Sequence, residues 1–139
     1  MTGNNLLILM SDEHTRSVMG AYGNHLAHTP VLDRLAARGV RFDNAYTPSP
    51  ICISARASFA TGTAVFEHRC WSSAEPYYGQ AQSWMHRLRD RGHEVVSIGK
   101  LHFRSAADDH GFSEEILPSR RLSATANGWG APDRRPLMR

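Results

Sequence analysis

The chain has 139 residues, a length that favours one domain, and its composition is ordinary for a globular protein. Its formal charge of +3 comes from the end of the chain: from Pro118 onward five arginines face the single acid Asp133, while residues 1–117 hold eleven Lys and Arg against twelve Asp and Glu. A nucleic-acid or membrane footprint is clustered on a folded face with a motif behind it, and no such motif is present, so neither partner class is expected. Cys52 and Cys70 make neither a disulfide framework nor a zinc ligand set. The apolar run Leu6–Met10 is too short for a signal-peptide core or a membrane-spanning helix, which makes the reducing cytoplasm the expected location.

In chain order, Leu6 to Met10 reads as a strand buried on both faces, as in a parallel sheet. It ends in Ser11-Asp12-Glu13-His14. Ligands of open α/β sheets bind beyond the carboxyl ends of strands, so Asp12 and Glu13 are candidates for a hard divalent cation. A solvated turn or a helix cap fits them as well. Residues 15–28 read as a loop with a short helix. Thr29-Pro30 opens a helix whose apolar face is Leu32, Leu35 and Ala36, and Gly39 ends it. Val40 to Tyr46 then alternates like a half-buried strand.

Residues 49–62 are the stretch on which the chemistry turns. Pro48 and Pro50 hold the chain extended, the small residues Ala55, Ala57, Ser58 and Ala60 favour a closely packed helix, and Gly62 stops it. Cys52 and Arg56 fall at its start, four residues apart on one face. A helix N-terminus favours anions, so a nucleophile beside an arginine there suits an anionic ester. Taken alone, Cys52 fits a small buried core cysteine equally well. Trp71, Tyr77 and Tyr78 suit a pocket-lining loop or the edge of a core.

Residues 81–91 read as a helix with Ala81, Trp84, Met85 and Leu88 at helical spacing, closed by Gly92. Glu94 to Ile98 follows as a strand, ending in Gly99-Lys100-Leu101-His102. If that segment is extended, Lys100 and His102 share a side, and the pair suits an oxyanion and a leaving-group oxygen; an exposed loop fits them too. Asp108 to Phe112 reads as a turn and Ile116-Leu117 as the start of another element. Residues 118–139 show no apolar period and read as a basic, disordered tail. The fold class expected is α/β, a partial parallel sheet flanked by helices, with Asp12, Cys52, Arg56, Lys100 and His102 meeting at one edge.

The motifs resemble the sulfatase family. Cys52-x-x-x-Arg56 followed by Ala57 to Gly62 resembles its signature C-x-P-x-R with a downstream T-G, and Gly99-Lys100-Leu101-His102 resembles its second signature, G-K-x-H. Thr29 to Leu35, Gly39 to Phe42, and Ser11 to His14 resemble further family segments in the right order. The resemblance runs over about residues 4–117 and is strongest to the choline-sulfatase and phosphonate-monoester-hydrolase branch of the alkaline phosphatase superfamily. It implies a hydrolase of sulfate, or related phosphonate or phosphate, esters. Cys52 would be oxidised to formylglycine by a maturase, Arg56 would hold that residue, and Lys100 and His102 would bind the sulfate oxygens and assist the leaving group. Asp12 and the converted Cys52 would bind a divalent cation, calcium first, with manganese or magnesium as alternatives.

Three features depart from the family pattern. Ser54 stands where the signature has proline, and Glu13 stands where many members have a second Asp. The family is several times longer than this chain, and its other metal ligands come from the part not present. The expectation is therefore a truncated or frame-shifted product, weakly active or inactive alone, with a non-catalytic fragment as the alternative; oligomerisation is left open. A cysteine-dependent phosphatase would need the longer spacing C-x5-R.

Overall fold

The computed structural model of the protein describes residues 5–117, so the tail expected at 118–139 lies outside the described residues. The chain divides into two compact units, one up to Tyr46 and one from Thr47.

The first unit is stitched by polar bonds, and none of its described residues is buried. Two short 3-10 turns, Arg16–Val18 and Gly20–Tyr22, precede helix α1, Pro30–Arg38. Thr29 and proline at the first position start α1 where expected, although the Thr29 hydroxyl caps no N–H of the helix, and Gly39 ends it. The Thr29 hydroxyl accepts from the Gly20 N–H at 2.9 Å and donates to Asp33 Oδ1, which also accepts from the Ala21 N–H at 2.7 Å. Arg41 lies over the Tyr22 ring and donates to the Ala21 carbonyl, closing the unit. The expected apolar face of α1 is uncovered, with Leu35 57% exposed.

Two expected strands are absent from this unit. Leu6 to Met10 and Val40 to Tyr46 pair with no strand among the described residues, and Leu6 to Met10 are 44–79% exposed. A strand takes its ladder from neighbours rather than from itself, and the described residues offer these segments none.

The second unit holds the core. Helix α2, Cys52–Thr61, is followed by α3, Val65–His68, and α4, Trp84–Arg89. Strands β1, Val96–Ile98, and β2, Glu114–Ile116, pair in parallel with Ser97 opposite Glu115. The expected parallel sheet is thus met in part, as two paired strands in a unit with three helices among its described residues. Ala57, Ala60, Cys70, Tyr77, Met85 and Val95 form the buried cluster, and Phe103, Leu88 and Phe112 pack against it. The two alanines let α2 approach closely, as the small-residue run predicts. Of the three aromatics in the loop, Tyr77 is fully buried, edge-on to Phe103 at 4.9 Å, while Trp71 and Tyr78 stay exposed. In β1 the polar Ser97 faces inward and Val96 and Ile98 face out. The strand is therefore apolar on the side the described residues leave open, the pattern of a strand covered on both faces.

Polar bonds close the back of this unit. Ser83 caps α4 by accepting from the His86 N–H, and Arg89 grips Asp109 with two bonds of 2.7 and 2.8 Å. The Arg89 guanidinium, helped by the Gly111 N–H, holds the Asp109 carboxyl well below the usual carboxylate range. A depressed folded value means that this contribution is present above about pH 4 and is lost as pH falls further. Gly111 has φ of 94°, and a Cβ there would overlap the backbone and ring of His86. Gly111→Ala is expected to destabilise the chain by at least about 2 kcal/mol, from left-handed strain plus the clash at the α4 cap. Urea unfolding followed by Trp fluorescence reads this; an unchanged midpoint would contradict the packing described.

Candidate active site

Cys52 is the first residue of α2, half-buried, with Ile51 extended before it. Ser49 prepares that entry: Thr47 Oγ1 donates to its carbonyl at 3.0 Å, and its hydroxyl accepts from the Ile51 N–H at 3.1 Å. The left-handed Gly62 closes the helix, its N–H donating to the Ser58 carbonyl at 2.8 Å. Arg56, one turn after Cys52, donates from Nη1 to the backbone carbonyl of Lys100 at 2.5 Å. That bond ties the Cys-x-x-x-Arg helix to the Gly-Lys-x-His segment, two motifs 44 residues apart.

The segment is fixed on both sides of this contact. The Gly99 N–H donates to the Ile116 carbonyl at 2.9 Å, continuing the β ladder by one bond. Phe103 packs into the core, and the Arg104 N–H donates to the Tyr77 carbonyl at 2.8 Å. Between these anchors Lys100 is exposed and His102 half-buried. His102 has φ of 61°, in the left-handed region, and Gly99 has φ of 94°. The segment is therefore not extended, and the side shared through strand alternation does not follow. A left-handed histidine costs roughly 1 kcal/mol or more, which the flanking anchors hold in place.

Asp12 and Glu13 form an exposed turn in the first unit, Glu13 with φ of 55°. Two carboxylates fall short of the six to eight oxygens around a calcium ion, on the order of what such ions require. No group of three or more His, Cys, Asp or Glu able to hold a metal ion occurs among the described residues. These residues do not make a cation site by themselves.

Behind α2 lies a second set of contacts. Ser54, buried, donates to the Trp71 carbonyl at 3.1 Å. Ser58 Oγ meets His68 Nε2 at 2.8 Å, and His68 Nδ1 accepts the Cys70 N–H at 3.1 Å. Burial lowers the pKa of His68, against a smaller raising effect of Glu67, and burial likewise raises that of the Cys70 thiol. Ser54 and Ser58 stand one turn apart in the sequence, but nothing in the spacing points to His68; only the fold joins it to them.

If the Arg56 bond holds the Gly99–His102 segment, Arg56→Ala should loosen it by on the order of 1–2 kcal/mol, the range for a charge-assisted bond. Hydrogen exchange in a peptide covering residues 99–104 is expected to quicken while residues 84–89 keep their protection. Equal exchange in both forms would show that the bond does not anchor the segment.

Known proteins align with this geometry. The sulfatase family model matches residues 4–130. A choline-sulfatase of Rhizobium meliloti is 33% identical over 95% of this chain and 25% of its own length. An N-acetylglucosamine-6-O-sulfatase of Bacteroides thetaiotaomicron is 35% identical over 73% of this chain and 18% of its own. A solved structure in complex with its substrate D-glucosamine-2-N,6-O-disulfate superposes with a TM-score of 0.66 at 30% identity, covering 76% of this chain and 21% of that one. The chain thus spans a quarter or less of the length of these relatives. With the family model matched over residues 4–130 and a matching fold over 76% of its length, the chain belongs to the sulfatase family.

Proposed function

We propose that the chain carries the nucleophile and the anion-binding residues of a sulfate ester hydrolase site. The observation that supports this most is the Arg56–Lys100 bond, which unites the two motifs in one unit. Cys52 is the proposed nucleophile position. Conversion to formylglycine would supply a hydrated aldehyde oxygen in place of the thiol. The first position of α2 favours the negative charge that an attacking oxygen and an approaching sulfate bring. Arg56 adds a fixed cation one turn away and holds the Lys100 backbone.

The Lys100 ammonium, exposed at the tied loop, offers three donors to the sulfate oxygens. His102 is the proposed proton donor to the departing ester oxygen. A fixed backbone on either side of both residues means that little ordering remains for substrate binding. The relatives act on choline and sugar sulfates by their names, and the class carried over is a small sulfated molecule, with phosphonate and phosphate esters as neighbouring chemistry. Asp12 is the proposed cation ligand on this chain, with Glu13 next to it in sequence. The two cysteines are free thiols, as conversion of Cys52 requires.

Ser54 bears on maturation. It stands at the signature's proline position, at the third residue of α2, where a helix has no partner for its N–H. Proline therefore fits the backbone there, and Ser54→Pro loses chiefly the bond to Trp71, about 1 kcal/mol. A second reading, a non-catalytic member that binds the anion without turning it over, is favoured by Ser54 at the signature's proline position.

Co-expression with a formylglycine-generating maturase, followed by intact mass, is expected to show a larger converted fraction for Ser54→Pro than for the natural sequence. Aryl sulfate turnover with added calcium or manganese should vanish in Cys52→Ala. Turnover that survives without Cys52 would refute the nucleophile assignment. A folded chain with unmodified Cys52 and no turnover would favour the second reading.

A further inference from the structure

Helix α2 is held from two opposite sides. With about 100° per residue, Cys52 and Arg56 lie within about 40° of each other, while Ser54 and Ser58 fall about 200° and 240° from Cys52. The first pair faces the Gly99–His102 loop through Arg56. The second pair is bound by residues 68–71, through the Trp71 carbonyl and the His68 ring. Gln80 fixes that strap in turn, its Nε2 donating to the His68 carbonyl at 3.4 Å and to Cys70 Sγ at 3.2 Å.

The tautomer of the ring follows from its partners. Nδ1 accepts a backbone N–H and so carries no proton. A neutral imidazole then carries its proton on Nε2, which donates to Ser58 Oγ. We propose that His68 is the positioning residue of the nucleophile helix: as a neutral ring protonated on Nε2, it sets the roll of α2 about its axis and thereby the direction in which residue 52 is presented. This rests on the reading of Cys52 as the nucleophile, but not on the chain being active.

Protonation would break the strap. A proton on Nδ1 would face the Cys70 N–H, donor against donor, and release the strap from the ring. The groups around His68 are Ser58 from α2, Cys70 and Gln80 from the following segment, and Glu67 on its own helix; Glu67 is the charged one among them. Its carboxylate favours the imidazolium, but burial outweighs it. The folded value lies below the unfolded one, so the strap is intact above about pH 6.5 and is lost as pH falls through the folded value.

Two measurements on the full chain test this. Long-range proton–nitrogen correlation of histidine-labelled protein at pH 7.5 is expected to show His68 neutral with Nε2 protonated; an Nδ1–H tautomer would overturn the proposal. Cys52 labelling by 2,2′-dipyridyl disulfide, mapped by mass from about pH 4.5 to 8, spans the range in which histidine titrates. The rate constant should change several-fold where the His68 ring titrates, and His68→Gln, which keeps a donor for Ser58, should remove that transition. Identical profiles in both proteins would overturn the positioning role. If His68→Gln does not fold, Ser58→Ala cuts the same bond from the other side and is expected to remove the transition likewise. Neither readout uses a sulfate ester, so a failure of the enzymatic reading leaves both interpretable.

Discussion

The bond from Arg56 to the Lys100 carbonyl is the constraint on which the candidate site depends. It joins a helix start to a loop 44 residues away, and neither partner is placed by local sequence alone. A guanidinium held against a backbone oxygen sets two things together: the charge near residue 52 and the path of the chain through Lys100 and His102. The loop tolerates its left-handed histidine because it is fixed on both sides, by the sheet at Gly99 and by Phe103 in the core. Packing in the second unit thereby becomes geometry at a surface where an anion can arrive.

The other face of α2 shows why a short helix can serve as a platform. It has ten residues, too few to be stable in isolation, so its order comes from what it packs on. Ala57 and Ala60 bring it close to the core, and Ser54, Ser58 and His68 fix its rotation with hydrogen bonds. Apolar contacts are non-directional and leave a helix free to roll. Directional bonds remove that freedom. This division of labour accounts for buried serines on a face where alanine would pack as well.

Much of this was legible in the sequence where the signal is local. The helix at Thr29-Pro30, the glycine stops at Gly39 and Gly62, and the helix carrying Trp84, Met85 and Leu88 all follow from caps and periodicity. The pairing of Cys52 with Arg56 follows from helical spacing. What escaped is non-local. Leu6–Met10 and Val40–Tyr46 carry strand patterns, but a strand exists only when neighbours complete its ladder, and no strand pairs with them among the described residues. Strand alternation does not hold from Gly99 to His102, because both residues adopt positive φ, which sequence does not reveal for a histidine. His68 was invisible for a third reason: its partners, Ser58 and the Cys70 N–H, meet it only once α2 folds back on the 68–71 strap.

The same non-locality marks the limits of what these residues do by themselves. The outward faces of Val96 and Ile98 and the apolar side of α1 are exposed among the described residues. Asp12 and Glu13 belong to no group of three or more His, Cys, Asp or Glu able to hold a metal ion among the described residues. The helix that begins at Cys52 and the Gly-Lys-x-His loop are tied together by the Arg56 bond, and this is the half proposed to bind the anion. A titration of the labelled chain with inorganic sulfate, read as amide shifts, tests that half most directly. Saturable shifts confined to residues 52–56 and 99–102, weakened in Arg56→Ala, are the predicted result. Shifts spread over the surface, or none at those residues, would contradict it.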